Sequence, residues 1–191
     1  MSNQEGRYKG GEVQLVIFEL EDETYAIEIH KVREIIKMVD ITPIPRAPSF
    51  IRGIINLRGK IIIVTDLKER FNLKKERSGT HIVVVEADNN TFGIIVDDVS
   101  RVVRIPEEEI KEAPSIITEK IHADYIKGVA VLDDRLIILL EPDKIYSEEE
   151  LVEMGSTEEV EKKEAEKEVR KKAEKEKIEK TPKEKKKSKK R

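Results

Sequence analysis

Short β-branched runs dominate the first 146 residues: VQLVIFEL (13–20), TYAIEI (24–29), KIIIVTDL (60–67), HIVVVEA (81–87), TFGIIV (91–96), VVRI (102–105) and RLIILLE (135–141). Runs of this kind, bounded by Gly, Asp, Asn and Pro, predict strands. Acidic or amide residues stand between successive runs in LEDETY, EADNNTF and VLDDRL, which is the chemistry of tight hairpin turns. Helical periodicity is scarce, and HKVREII (30–36) and EELVEM (149–154) are the short helix candidates. The pattern predicts a mainly all-β chain.

The runs also repeat. FIRGIINLRGKIIIVTDLKERF (50–71) aligns without gaps to YIKGVAVLDDRLIILLEPDKIY (125–146), an offset of 75 residues. Upstream, TYAIEIHKVREII (24–36) aligns to TFGIIVDDVSRVV (91–103) with an offset of 67. The body, residues 12–146, therefore reads as two pseudo-repeats, about 12–75 and 80–146. Each is near the lower size at which a core stands alone, so each is expected to lean on the other. Several short antiparallel strands per repeat favour small barrels, which remove exposed edges. Two small β-barrels packed side by side are the expected architecture.

Composition supports one ordinary domain or two very small ones: 191 residues, 38% hydrophobic, is enough for a core. Aromatic residues at 4% argue against stacking platforms. The absence of cysteine removes disulfides, thiolate nucleophiles and thiolate metal sites together. The N-terminus lacks the apolar stretch of a signal peptide, and no run approaches the roughly 18 apolar residues of a membrane span, so a soluble cytoplasmic protein without membrane insertion is expected.

The net charge of −3 hides an asymmetry. Residues 156–191 carry 16 Lys/Arg against 10 Asp/Glu, and residues 1–155 carry 21 against 30, so an acidic body (−9) ends in a basic tail (+6). From Ser156 onward only Val160, Val169 and Ile178 are sizeable apolar residues, too few to bury a helix face. Residues 147–191 are thus expected to be a charged, largely disordered or helical tail, of which the part from Ser156 onward should not pack.

No catalytic constellation, phosphate-binding loop, cofactor site or metal site is expected. His30, His81 and His122 are scattered, and Asp97, Asp98, Asp133 and Asp134 read as solvated turn charges. The two aligned hairpin turns are LRGK (57–60) and LDDR (132–135), matched in place but not in charge. Gly59 suits a positive φ, and Arg58 is presented outward, where its planar fork can engage a partner's carboxylate or carbonyls. Gly53 and Gly128 recur at one place in both repeats, which favours a backbone requirement such as a bulge or close strand approach.

FELEDETYAIEIHKVREII, IPRAPSFIRGIINLRGKIIIVTDL, FGIIVDDVSRVVRI and YIKGVAVLDDRLIILLEPDKI, in this order and spacing, resemble the CheW-type chemotaxis coupling proteins over nearly all of the body. The resemblance implies two five-stranded SH3-like barrels. It implies a non-enzymatic adaptor that joins the cytoplasmic tips of methyl-accepting chemoreceptors to the regulatory domain of the histidine kinase CheA, in the cytoplasm beside membrane-bound receptor complexes. By motif match it places partner binding on Val32 and Glu34 in KVREI and on Gly53, Asn56, Arg58 and Gly59 in RGIINLRG, with Gly93 and Gly128 structural. The tail departs from the family pattern. A competing reading is a small-barrel nucleic-acid-binding module using the basic tail, against which stand the acidic body and the few aromatic residues.

Overall fold

The computed structural model describes residues 11–87, 90–119, 121–147 and 149–150. Ten strands carry the fold: β1 (Glu12–Leu20), β2 (Glu23–Glu28), β3 (Val32–Lys37), β4 (Ile51–Leu57), β5 (Lys60–Asp66), β6 (His81–Ala87), β7 (Asn90–Val96), β8 (Asp98–Pro106), β9 (Ile126–Leu132) and β10 (Arg135–Leu140). One-turn helices α1 (Leu67–Arg70) and α2 (Ser115–Thr118) lie among the connections. HKVREII is not a helix. Ile29–Lys31 form a 3-10 turn, and the β-branched residues that follow make β3, with Val32, Glu34 and Ile36 turned partly inward and Arg33, Ile35 and Lys37 exposed. EELVEM continues past residue 150, outside the described residues.

The strands form two five-stranded sheets, in the orders β8-β1-β2-β10-β9 and β3-β6-β7-β5-β4. The second is contiguous in the chain and is called here the central barrel; the first gathers the two ends of the body and is called the terminal barrel. The sequence repeats do not close one barrel each. Each repeat gives its first hairpin, β1–β2 or β6–β7, to the barrel formed mainly by the other. The three-residue link Ile29–Lys31 carries the chain out of one sheet into the next, and parallel pairings then join the repeats. Ile63 pairs with Phe92, and its repeat image Ile138 pairs with Tyr25.

Each sheet closes through an extension of its edge strand. Thr42, beyond β3, exchanges hydrogen bonds of 2.9 and 2.8 Å with Ile54 of β4, and Lys111, beyond β8, exchanges two of 2.8 Å with Val129 of β9. The glycine before each bridge is what lets the chains meet. A Cβ on Gly53 (φ 144) would stand 2.1 Å from the Thr42 carbonyl oxygen, and one on Gly128 would stand 2.7 Å from that of Lys111.

Three apolar clusters result. Leu15, Ile17, Ala26, Ile105, Ala130, Ile137 and Leu139 fill the terminal barrel. Ile55, Ile62, Val64, Ile82, Val84 and Ile95 fill the central one. The third and largest lies between them, and strands of both barrels are therefore apolar on two faces: in β6, Ile82 and Val84 point into the barrel while Val83 and Val85 point to the junction. All four phenylalanines, with Tyr25, Tyr125 and Tyr146, belong to this junction. Its ring contacts repeat in pairs: Phe50–Tyr146 (6.3 Å) with Phe71–Tyr125 (5.6 Å), and Tyr25–Phe71 (6.0 Å) with Phe92–Tyr146 (4.7 Å).

Candidate functional site

Glu34, Asn56, Arg58 and Gly59, four of the six residues the sequence motifs mark for partner binding, lie at the seam of the central barrel, where β3 and β4, the two ends of its sheet order, come together. Between β4 and β5 the chain reverses in the two-residue turn Leu57–Lys60, with Arg58 at φ 53 and Gly59 at φ 87. Two successive positive φ values give the hairpin turn that matches strand twist. Asn56 holds it, since its Oδ1 accepts from the Gly59 N–H at 2.9 Å. The Arg58 Nη2 reaches over the seam and donates to Glu34 Oε2 at 3.0 Å. The Arg58 side chain remains 81% exposed, so the pair leaves most of the guanidinium fork open to a partner.

Glu34, Asn56, Arg58 and Gly59 thus form one surface patch. Val32 lies apart, half-buried against the junction, and Gly53 is buried beneath the patch at the barrel closure. Gly93 is buried inside the central barrel, where a Cβ would stand 2.7 Å from Ile82 Cγ2, and Gly128 occupies the closure of the terminal barrel.

Two charged constellations at the junction have no counterpart in the sequence reading. Lys68 of α1 is buried, its Nζ 2.6 Å from Glu21 Oε1 and 2.7 Å from Asp97 Oδ1, and it donates to the Arg77 carbonyl at 2.6 Å. Burial pushes the Lys68 ammonium down, but hydrogen bonds to Asp97 and Glu21 outweigh it and hold its pKa above the ordinary range. Asp97 is therefore no solvated turn charge: its carboxylate also accepts from the Glu21 N–H at 2.7 Å, tying the β1–β2 turn to the end of β7. A lysine and an aspartate in short acidic-basic stretches carry no sequence signal of burial.

Arg70 is the second. Its guanidinium lies 4.2 Å from the Phe50 ring centroid and 5.2 Å from that of Tyr125. It donates to the Ile145 carbonyl at 3.0 Å and, through both terminal nitrogens, to Glu150 at 2.7 Å. Glu150 also accepts from the Ser147 N–H at 2.8 Å, and its own N–H donates to Ser147 Oγ at 3.2 Å, a reciprocal capping box. The charged segment after Tyr146 thus begins with a packed contact, in which the half-buried Arg70 guanidinium and the Ser147 N–H both hold the Glu150 carboxylate. The signal was present as S-x-x-E in SEEE.

A two-barrel body that carries its open charge on a rigid hairpin turn is the build of a protein-interaction module. Residues 14–150 match the CheW-like domain, and the chain belongs to this family. It is 37% identical to the chemotaxis protein CheW of Treponema pallidum over 149 residues, covering 75% of this chain and 87% of that one. It is 34% identical to the CheW of Klebsiella aerogenes over 140 residues, 72% of this chain and 84% of the relative. Among solved structures, the scaffolding protein TtCheW from Thermoanaerobacter tengcongensis superposes with a TM-score of 0.67 at 38% identity, covering 74% of this chain and 92% of that chain.

Proposed function

We propose that this chain is a non-enzymatic scaffold of chemotaxis signalling that couples the cytoplasmic tips of methyl-accepting chemoreceptors to the regulatory domain of the histidine kinase CheA. The observation that carries the reading is the family match over residues 14–150, which spans both barrels and the junction between them. The Glu34–Arg58 patch supplies a plausible chemistry: a mostly open guanidinium on a fixed turn recognises a carboxylate or carbonyls in two-point fashion. Val32, Gly53, Asn56 and Gly59 act with it, Val32 from the junction side and the others by setting the shape of the turn and seam. Among the described residues no helix is long and apolar enough to cross a membrane, and the scaffold works in the cytoplasm through receptors that do cross it.

A nucleic-acid module is the poorer reading. All four phenylalanines and the described tyrosines are used up in the junction, which leaves no ring platform for bases among the described residues. The experiment is retention of a receptor cytoplasmic fragment and of the kinase regulatory domain on the immobilised chain. Both are expected to bind; retention of neither overturns the proposal.

A further inference from the structure

The patch on the central barrel has an image on the terminal one. By the offsets of the repeat, Glu34 corresponds to Arg101 and Arg58 to Asp133. Arg101 Nη2 and Asp133 Oδ2 form an ion pair, as Arg58 and Glu34 do, but with every charge reversed. The geometry beneath is shared. Asp133 and Asp134 adopt φ 50 and 59 where Arg58 and Gly59 adopt 53 and 87. Leu132 pairs with Arg135 as Leu57 pairs with Lys60, and Val102 with Val16 as Ile35 with Val83. Each pair spans a seam closed by the equivalent backbone bridge.

The fold therefore presents the same shape twice, and a partner that reads shape alone would find two sites on one chain. Resting on the proposed scaffold function, we infer that the inverted ion pair is the mark by which a partner distinguishes the two barrels. A partner bringing an acceptor group to Arg58 meets Asp133 at the equivalent place on the terminal barrel and is refused there. Specificity between near-identical surfaces requires such a repulsive element, and a charge at a fixed turn position is an effective one.

Three observations favour recognition over stability as the role of these charges. Both pairs lie at the surface, with the Arg58, Asp133 and Arg101 side chains 81%, 65% and 53% exposed and Glu34 half-buried at 21%, and ion pairs with such solvent access contribute little to folding. Within the two turns, Lys60 and its image Arg135 keep one sign while Arg58 is replaced by Asp133 and Gly59 by Asp134, so the terminal turn carries a second acidic group beside the inverted pair. The apolar surround differs in the same sense: Asn56 is replaced by Val131, 63% exposed, and the buried Ile61 by Leu136, 44% exposed. The terminal face is thus both oppositely charged and more apolar, as suits a different partner.

The test moves the mark. In the full-length chain, Arg101→Glu, Val131→Asn, Asp133→Arg and Asp134→Gly together copy the four residues of the central patch onto the terminal barrel. Titration calorimetry with the CheA regulatory domain and with a receptor cytoplasmic fragment reads affinity and stoichiometry. Arg58→Glu should weaken at least one of these partners about tenfold or more. For that partner, the fourfold change should raise the stoichiometry from one toward two per chain in the wild-type background, and restore binding in the Arg58→Glu background. If Arg58→Glu weakens binding but the copied patch neither adds a site nor rescues, the inference is overturned and the scaffold reading stands. If Arg58→Glu affects neither partner although both bind, the inference falls with the assignment of the patch. Should the fourfold variant melt early, Arg101→Gln with Asp133→Asn erases the mark more gently; a second, weaker site is then expected, and its absence counts against the inference.

Discussion

Lys68 Nζ and Glu21 Oε1 are 2.6 Å apart, and the bond between them joins the central barrel to the terminal one. Lys68 follows β5, Glu21 turns β1 into β2, and Asp97 completes the group from the end of β7. Removing one partner of a buried charge group leaves the others uncompensated. Lys68→Met should therefore cost about 3 kcal/mol in urea unfolding at neutral pH. The loss should shrink in acid, as Glu21 takes up a proton. A variant as stable as the parent at pH 7 would show that the junction does not depend on this group.

Acid stability follows from two glutamates. Hydrogen bonding to Lys68 holds Glu21 below the usual carboxylate range; burial pushes Glu150 up, but Arg70 and Ser147 outweigh it and hold it low as well. A group depressed in the folded state stabilises above its unfolded value, about 4.3, and the contribution is lost as pH falls through the folded pKa. The gap in urea midpoint between the parent and Glu150→Gln should be full above about pH 5 and close toward pH 2. A gap that widens in acid would contradict the sign.

The two barrels should unfold as one. Their largest core is the one they share, and each repeat has lent a hairpin to the other barrel. Calorimetry is expected to give a single two-state peak. Residues 80–146 alone own β6 and β7 without β3 or β5, and β8 to β10 without β1 or β2, so they should aggregate. Two resolved peaks, or a folded fragment, would show the junction to be dispensable.

Gly59 and Arg58 should fail differently. Gly59→Val places a β-branched residue at φ 87 and should cost roughly 1–2 kcal/mol or more. Gly59→Asn should cost less than about 1 kcal/mol, since Asn tolerates the left-handed region and an added Cβ meets nothing within 4 Å. Arg58→Glu should shift stability by no more than about 0.5 kcal/mol while weakening partner binding. Chemical denaturation with parallel binding assays separates the three.

Chain length gives the fourth test of packing. A chain ending at Met154 should melt with the parent, whereas one ending at Tyr146 loses Glu150 and leaves Arg70 without its carboxylate. About 1–3 kcal/mol should be lost, seen as a lower Tm. Equal melting of both would mean that the Arg70–Glu150 clamp contributes nothing.

The strands were legible because β-branched runs and hairpin residues carry local signals, and the duplication was legible as an alignment, whose offsets relate the pairing Ile63–Phe92 seen in the structure to Ile138–Tyr25. Which barrel each hairpin joins was not legible. Apolar runs such as HIVVVEA state that both faces are buried, but not against what. The repeat also carried a signal against a helix at HKVREII, which aligns with DDVSRVV (97–103), whose end belongs to VVRI, already read as a strand. In the candidate site, Arg58 and Gly59 stood out by turn chemistry. The partnership of Arg58 with Glu34 did not, because it depends on β3 and β4 closing a seam. Lys68 and Asp97 were invisible, since burial of a charge is decided by tertiary packing alone.

The exchange of hairpins also orders events during synthesis. The central barrel is contiguous and has all its strands once Val96 has been made. The first hairpin, β1–β2, is made earliest, yet Val16 must wait for Val102 and Tyr25 for Ile138 before their ladders are filled. Until the last strand leaves the ribosome, a nascent chain holds a finished barrel with the β1–β2 ribbon packed against it through contacts such as Tyr25–Phe71, while both outer edges of that ribbon lack their partners. The first hairpin to be made is the last to be completed.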